Sequence, residues 1–155
     1  MALLSDQPAA GGAGLLSNAA ASVSRRASAH LVEAALDFIA DAKFEASVAV
    51  VDPAGTLRAF ASSDGARFLT VDVAIGKAWT AASMGYPTGL WNKLSSDPAF
   101  APLSRLPRVV AVGGGYPLFE NGRLVGAVAV SGGTTEQDEA AARAAIAAAG
   151  FDPPA

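Results

Sequence analysis

The residues Asn121 and Gly122 constrain the fold of this chain more than any other short segment. They stand between two segments that are predicted to be strands, one ending with Leu118 and Phe119 and the other at 123–130. An Asn-Gly pair in that position favours a two-residue type I′ hairpin, because both residues tolerate positive φ angles. The second half of the chain is therefore expected to contain an antiparallel strand pair.

A second hairpin is predicted earlier in the chain. A β-branched run at 47–51 is typical of a buried strand, and the Asp-Pro-Ala-Gly segment at 52–55 has the residues of a turn. Residues 56–61 then return as a strand. The apolar run at 109–112 predicts one more strand, so that the whole sheet is expected to have five strands and to be mostly antiparallel.

Helices are predicted around these strands. Residues 18–43 carry an apolar stripe at helical spacing, made of Val23, Ala27, Leu31, Ala34 and Phe38. Further helices are expected from about Thr70 to Gly85 and at 88–94. Thr134 with Gln137 forms a capping box, which opens a last helix ending near residue 149. The fold class is therefore α/β, in the α+β sense, with a sheet flanked by helices.

The length of 155 residues is that of one domain. We assign 18–155 to this domain and 1–17 to a mobile, Pro-, Ala- and Gly-rich tail. No run approaches the roughly 18 apolar residues of a membrane span. The net charge of −3 argues against nucleic acid, since a phosphate-binding face needs clustered Lys and Arg. We therefore expect neither membrane insertion nor nucleic acid binding.

The chain has no cysteine, which excludes disulfides, thiolate metal sites and a thiol nucleophile. Its start lacks the pattern of a signal peptide, so we expect a cytoplasmic protein. Only 16% of the residues are charged. This low fraction favours a surface partly covered by other subunits, and we expect a homo-oligomer.

Several segments together carry a family resemblance: the hairpin at 47–60, the blocks at 64–66 and 75–81, the Gly-Gly-Tyr-Pro run at 114–117 with 121–132, and Gln-Asp-Glu at 137–139. In this order they resemble the GlcG/HbpS-like family over roughly residues 23–150. The family's domain also occurs at the C-terminus of PduO-type corrinoid adenosyltransferases. The resemblance implies a profilin-like α/β sandwich that assembles into dimers or larger rings. It also implies a haem- or small-ligand-binding role for some members and a link to small-acid or aromatic catabolism for others.

His30 is the only histidine and a candidate axial ligand for haem iron, because neutral imidazole suits that role. It lies at or beside the apolar stripe of the first helix, and Glu33 could orient one of its ring nitrogens. The resemblance supports this role, since haem-binding members are thought to use a histidine in the first helix. The alternative is a histidine that serves packing only.

Lys77 lies in an otherwise apolar helical stretch. It could bind a carboxylate, or act as the base of an enzyme with Glu120 or Asp138 as its partner. The alternative is a lysine that extends its ammonium to solvent at the helix edge. Arg67 could pair with an acidic ligand or simply be solvated.

The run Gly113, Gly114 and Gly115 follows a predicted strand, and backbone amides in such a loop can hold an anion. The alternative is a bulge or a close approach of subunits. Tyr116 and Tyr86 could stack on a planar ligand. No carboxylate cluster has metal-site spacing; Asp64 and the pair Asp138 and Glu139 are interpreted as turn and helix-start residues.

The leading hypothesis is thus an oligomeric small-ligand-binding protein. Its ligand is haem, another tetrapyrrole or a small carboxylated metabolite, and its pocket lies between the first helix, the Lys77 helix and the glycine loop. One alternative is a catabolic enzyme, of isomerase or hydrolase type, acting on a small carboxylated metabolite. Another is a non-catalytic accessory subunit of a larger complex.

Overall fold

The computed structural model describes residues 16–154. The predicted tail at 1–17 lies almost entirely outside this range and stays a prediction. The described elements follow in chain order: α1 (Arg25–Asp41), β1 (Ser47–Val51), β2 (Leu57–Ser62), α2 (Leu69–Met84), α3 (Thr88–Leu94), a 3-10 turn (Leu103–Arg105), β3 (Gly115–Glu120), β4 (Arg123–Ser131) and α4 (Thr135–Ala149).

Both predicted hairpins are confirmed. The sheet has the order β2-β1-β4-β3, and every neighbouring pair is antiparallel. Asn121 and Gly122 have φ angles of 52° and 74°, as a type I′ turn requires. In the other turn, the Asp52 carboxylate accepts hydrogen bonds from the backbone N–H groups of Ala54 and Thr56. The two hairpins meet where β1 pairs with β4 at the centre of the sheet.

The sheet is covered on both faces, and each face has its own core. Helices α1 and α4 pack on the face that presents Val48, Val50, Val128 and Val130. Helix α2 packs on the opposite face, where Ala49, Ala127 and Ala129 meet alanines of the helix. Side chains this small let α2 lie close to the strands. The abundant alanines of the chain therefore allow close packing of this helix on the sheet.

The first helix is shorter than predicted and turned relative to the predicted stripe. The side chain of Ser24 accepts a hydrogen bond from the Ala27 N–H and caps the helix start. Val23 lies before this cap and donates its N–H to the Val125 carbonyl at 2.7 Å. The buried face is Ser28, Leu31, Val32, Ala35 and Ile39. Leu31 of the predicted stripe lies on this face, Ala27, Ala34 and Phe38 pack partly buried at its edge, and Val23 is buried just before the helix.

The predicted strand at 109–112 is wrong, and the described residues form four strands instead of five. This segment runs beside helices. The Val110 N–H donates to the Thr80 hydroxyl at 2.9 Å, and the Asn92 amide donates to the Ala111 carbonyl at 2.9 Å. Backbone groups bonded to side chains of α2 and α3 are not available to a strand ladder.

Candidate functional site

The side chain of Lys77 is buried in the middle of α2, with 2% of its surface exposed. Its ammonium donates to Asp138 Oδ2 at 2.8 Å and to the Val130 carbonyl at 3.0 Å. The other oxygen of Asp138 accepts the Gly133 N–H at 2.9 Å. Charge pairing and hydrogen bonds together make this burial tolerable. Lys77 therefore joins α2 to the end of β4 and to the first turn of α4.

This arrangement contradicts the alternative in which Lys77 extends to solvent. It also selects between the two predicted partners: Asp138 holds the ammonium, whereas Glu120 is exposed at the end of β3 opposite Arg123. Lys77 and Asp138 both line a cavity of about 220 Å³. A ligand carboxylate that paired with Lys77 would have to compete with Asp138.

The glycine loop packs against this ion pair. Gly114 has a φ of 116°, and a Cβ there would lie 2.7 Å from the Val130 carbonyl oxygen and 3.0 Å from Lys77 Nζ. The Gly115 N–H donates to the Thr88 hydroxyl at 2.9 Å. The loop backbone thus packs closely against α2 and α3 of the same chain. The Gly115 N–H, which could have held an anion, already donates to Thr88.

A larger cavity opens on the other side of the loop and is called the α3–α4 cavity below. Its volume is about 470 Å³, within the range of small-molecule sites. It lies between α3, the loop that includes Gly113, and the first turns of α4. Its lining residues are Pro87, Gly89, Leu90, Asn92, Lys93, Val112, Gly113, Tyr116, Thr135, Glu136 and Glu139.

Glu139 is the half-buried carboxylate of the α3–α4 cavity, with 25% of its side chain exposed. Its Oε1 atom lies against two glycines: a Cβ on Gly89 would come within 2.7 Å of it, and a Cβ on Gly113 would be closer still. Its Oε2 atom lies 3.7 Å from Arg143 Nη1. The carboxylate position therefore depends on the missing side chains at both glycines.

Tyr116 forms part of the same wall. Its hydroxyl accepts a hydrogen bond from Arg143 Nη1 at 2.6 Å. Burial raises the pKa of Tyr116, and the negative charge of Glu139 adds to the rise, while Arg143 partly opposes it. The tyrosine consequently presents a neutral hydroxyl and an aromatic ring.

The cavities near the loop share lining residues. The Lys77 cavity shares Val112 and Thr135 with the α3–α4 cavity. It shares Thr70 and Gly132 with a third cavity, of about 390 Å³, which Arg67 and Glu45 also line. These three neighbouring cavities, together called the groove below, lie near the N-terminal end of α4, and their lining residues include Arg67, Lys77, Gly113 and Tyr116 of the predicted site.

His30 lies elsewhere. It is exposed on α1, and its Nε2 atom is 3.2 Å from the Ala148 carbonyl at the end of α4. A carbonyl only accepts, so Nε2 is the donor, and the ring is oriented by Ala148 instead of Glu33. The three cavities of the groove have no lining residue from α1. Helices α1 and α2 pack on opposite faces of the sheet, so within residues 16–154 they do not form the single pocket that was expected between α1, α2 and the loop.

Two features are not found among residues 16–154: a metal-binding cluster and a membrane-spanning helix. No three His, Asp or Glu side chains come together in a way that could hold a metal ion. No described helix has both the length and the apolar character needed to cross a membrane.

Comparison with known families settles the membership of the chain. The model of the family described as "Haem degrading protein HbpS-like" matches residues 23–147. The chain belongs to the HbpS-like family. The resemblance noted in the sequence is thereby confirmed.

Several proteins and solved structures are similar to this HbpS-like chain. The Klebsiella pneumoniae protein ORFY has a TM-score of 0.84 at 26% identity, over 88% of this chain and 96% of that one. The structure of a PduOC–haem complex has a TM-score of 0.81 at 30% identity, over 86% of this chain and 99% of PduOC. The corrinoid adenosyltransferase PduO of Salmonella typhimurium is 34% identical over 121 residues, 76% of this chain. The chain spans only 36% of that enzyme's length.

The sequence does not single out several residues of the α3–α4 cavity. It indicates Glu139 only as a helix-start charge, and it gives no reason to select Gly89 or Lys93. Glu139 has one further sequence signal: Arg143, which lies beside the cavity, follows it by four residues on the same helix face. Nothing in the sequence indicates that α3 folds across that face.

Proposed function

We propose that this HbpS-like protein binds a tetrapyrrole, with haem as the leading candidate and His30 as the axial ligand. The observation that carries the proposal is the likeness to PduOC, which was solved as a haem complex and is 30% identical to this chain. His30 is the only residue that can supply an imidazole, because the chain has one histidine. Haem, when bound, would supply a redox-active iron.

The surroundings of His30 fit such a group. The ring is exposed, and its one described hydrogen bond, to Ala148, would cost only about 1 kcal/mol to exchange for iron. Ala29, Ala147 and Ala148 are exposed beside it, so a planar ring would meet little steric obstruction. Arg26 is also exposed, one turn earlier on α1. Its guanidinium could pair with a propionate.

Hemin titration followed by absorption tests this proposal. We expect a sharp, saturable Soret band at one haem per chain, and loss of that band in His30→Ala. The matched control is Asp37→Ala, which removes another exposed side chain from α1. A broad band that does not saturate, or an unchanged spectrum in His30→Ala, would overturn the proposed ligation.

A homo-oligomer is part of the same proposal. Large apolar side chains are exposed on and near the α2 side: Phe68 at 90%, Leu69 at 63% and Leu106 at 52%. Exposed apolar side chains of this size favour subunit contact. Light scattering of the purified protein would test this, and a monomer at micromolar concentration would contradict it. The cytoplasmic location remains a prediction.

The alternative function, an enzyme with Lys77 as its base, fits the structure less well. A base must reach a proton on a substrate, whereas the Lys77 ammonium is occupied by Asp138 and the Val130 carbonyl. The accessory-subunit alternative has no specific observation in its favour.

A further inference from the structure

The α3–α4 cavity combines features that the proposed haem site does not use. It lies beside the glycine loop, and its lining residues include neither His30 nor any other residue of α1. Its polar side chains come from two helices, with Lys93 on α3 and Glu139 on α4. The chemistry of its lining residues therefore indicates which class of ligand the cavity binds.

Carboxylates outnumber cations among the described lining residues of the cavity. Glu136 and Glu139 line it together with Lys93, while Arg143 is not a lining residue but lies 3.7 Å from Glu139 Oε2. The pKa of Glu136 is lowered, chiefly by a hydrogen bond from its own backbone N–H and then by the Thr134 hydroxyl. The cavity thus favours a cation over an anion.

Glu139 offers one oxygen to a ligand. Arg143 lies near Oε2, while Oε1 points between Gly89 and Gly113 and has no hydrogen-bond donor among residues 16–154. A half-buried carboxylate oxygen without a donor is a strong acceptor for a ligand ammonium, because such a charge-assisted bond is about twice as strong as a neutral one.

The remaining walls suit the apolar body of such a ligand. Tyr116 contributes an aromatic ring, and Leu90 and Val112 are partly exposed at 39% and 44%. The Arg143 guanidinium already lies 5.7 Å from the centroid of the Tyr116 ring, so a bound organic cation would place its apolar part, and not its charge, against this ring. Thr135 adds a hydroxyl at the α4 end of the cavity.

We propose that the α3–α4 cavity is a second ligand site, which binds a small organic cation with its ammonium on Glu139 Oε1 and its apolar part against Tyr116 and Val112. This site is independent of His30 and of haem. Gly89 and Gly113 are required because they leave room for the carboxylate. The class of ligand is a primary amine with a compact apolar or aromatic group.

Isothermal titration with three probes of similar shape tests the charge preference: benzylamine, benzyl alcohol and benzoate. We expect saturable binding of benzylamine at one per chain, weaker binding of the neutral alcohol and none of benzoate. The affinity for benzylamine should fall as salt is raised. Absence of saturable benzylamine binding, or benzoate binding of equal strength, overturns the proposal.

Variants locate the site. Glu139→Gln keeps the shape and should weaken benzylamine binding about tenfold, and the exposed Glu120→Gln on β3 is its matched control. Gly89→Ala keeps every charge but crowds Oε1, and it should weaken binding too; alanine also suits the helical position. Equal affinities in Glu139→Gln and Glu120→Gln overturn the assignment. If hemin fails to bind while benzylamine binds as expected, the haem proposal alone fails.

Discussion

The ammonium of Lys77 and the carboxylate of Asp138, 61 residues apart in the chain, form an ion pair of 2.8 Å that is almost fully buried. The pair connects α2, on one face of the sheet, to α4, which packs on the other. It lies directly behind the glycine loop, so the position of the loop and of both neighbouring cavities depends on it.

Removing one member of the pair should destabilise the fold strongly. Lys77→Met leaves Asp138 buried without its cation, and the free energy of unfolding should fall by about 3–5 kcal/mol. Urea denaturation measures this change, with the exposed Lys93→Met as control. The double variant Lys77→Met/Asp138→Leu should regain part of the loss, because it buries no unpaired charge. A loss below about 1 kcal/mol in the single variant would contradict the structural role.

Substitution of Gly114 should destabilise the fold far more than substitution of a glycine that lies in open space. Gly114→Ala forces a side chain into a φ of 116° and against the Val130 carbonyl. Gly150 has a φ of 79°, and a Cβ added there would have nothing within 4 Å. Gly150→Ala should therefore cost about 1 kcal/mol, and Gly114→Ala clearly more. Thermal unfolding compares the two variants, and equal losses would refute the close packing of the loop.

Tyr116 should ionise at a higher pH than an ordinary tyrosine. Burial and the charge of Glu139 raise the pKa of Tyr116. The difference between the ultraviolet titrations of the wild type and of Tyr116→Phe isolates the Tyr116 step, which Glu139→Gln should move down and Arg143→Gln should move up. A Tyr116 step at the ordinary tyrosine value would contradict this environment.

The same pKa shift has a consequence for stability. The unfolded chain loses the Tyr116 proton at lower pH than the folded chain does, so unfolding is favoured once the pH exceeds the ordinary tyrosine value. The stabilisation is thus fully present below that value and is lost as the pH rises through the raised pKa of the folded state. Urea midpoints measured across this alkaline range should fall more for the wild type than for Tyr116→Phe.

Local signals in the sequence predicted much of the fold. The Asn121 and Gly122 turn, the Asp52 turn and the Thr134 capping box are each decided by residues within a few positions, and all three are confirmed. The strand predicted at 109–112 is wrong because distant side chains, Thr80 and Asn92, take its backbone hydrogen bonds. A β-branched run cannot reveal that its partners are helices.

The candidate site is less predictable for the same reason. Lys77 stands out in the sequence because a charge within an apolar helix is unusual, but its partner cannot be chosen between Asp138 and Glu120 without the topology. Glu139 is indicated by the sequence only as a helix-start charge, since its setting is made by Gly89 and Gly113 from other parts of the chain. His30 stands out as the only histidine, and the sequence cannot show that it lies away from the groove.

The single histidine allows a direct test of haem ligation without any substitution. Protein labelled with nitrogen-15 in histidine alone carries the label only at His30. Electron–nuclear double resonance of its ferric haem complex should show nitrogen-15 hyperfine coupling from one imidazole nitrogen bound to iron. A haem complex that forms at one per chain but shows no such coupling would contradict ligation by His30 and would require another residue to hold the iron.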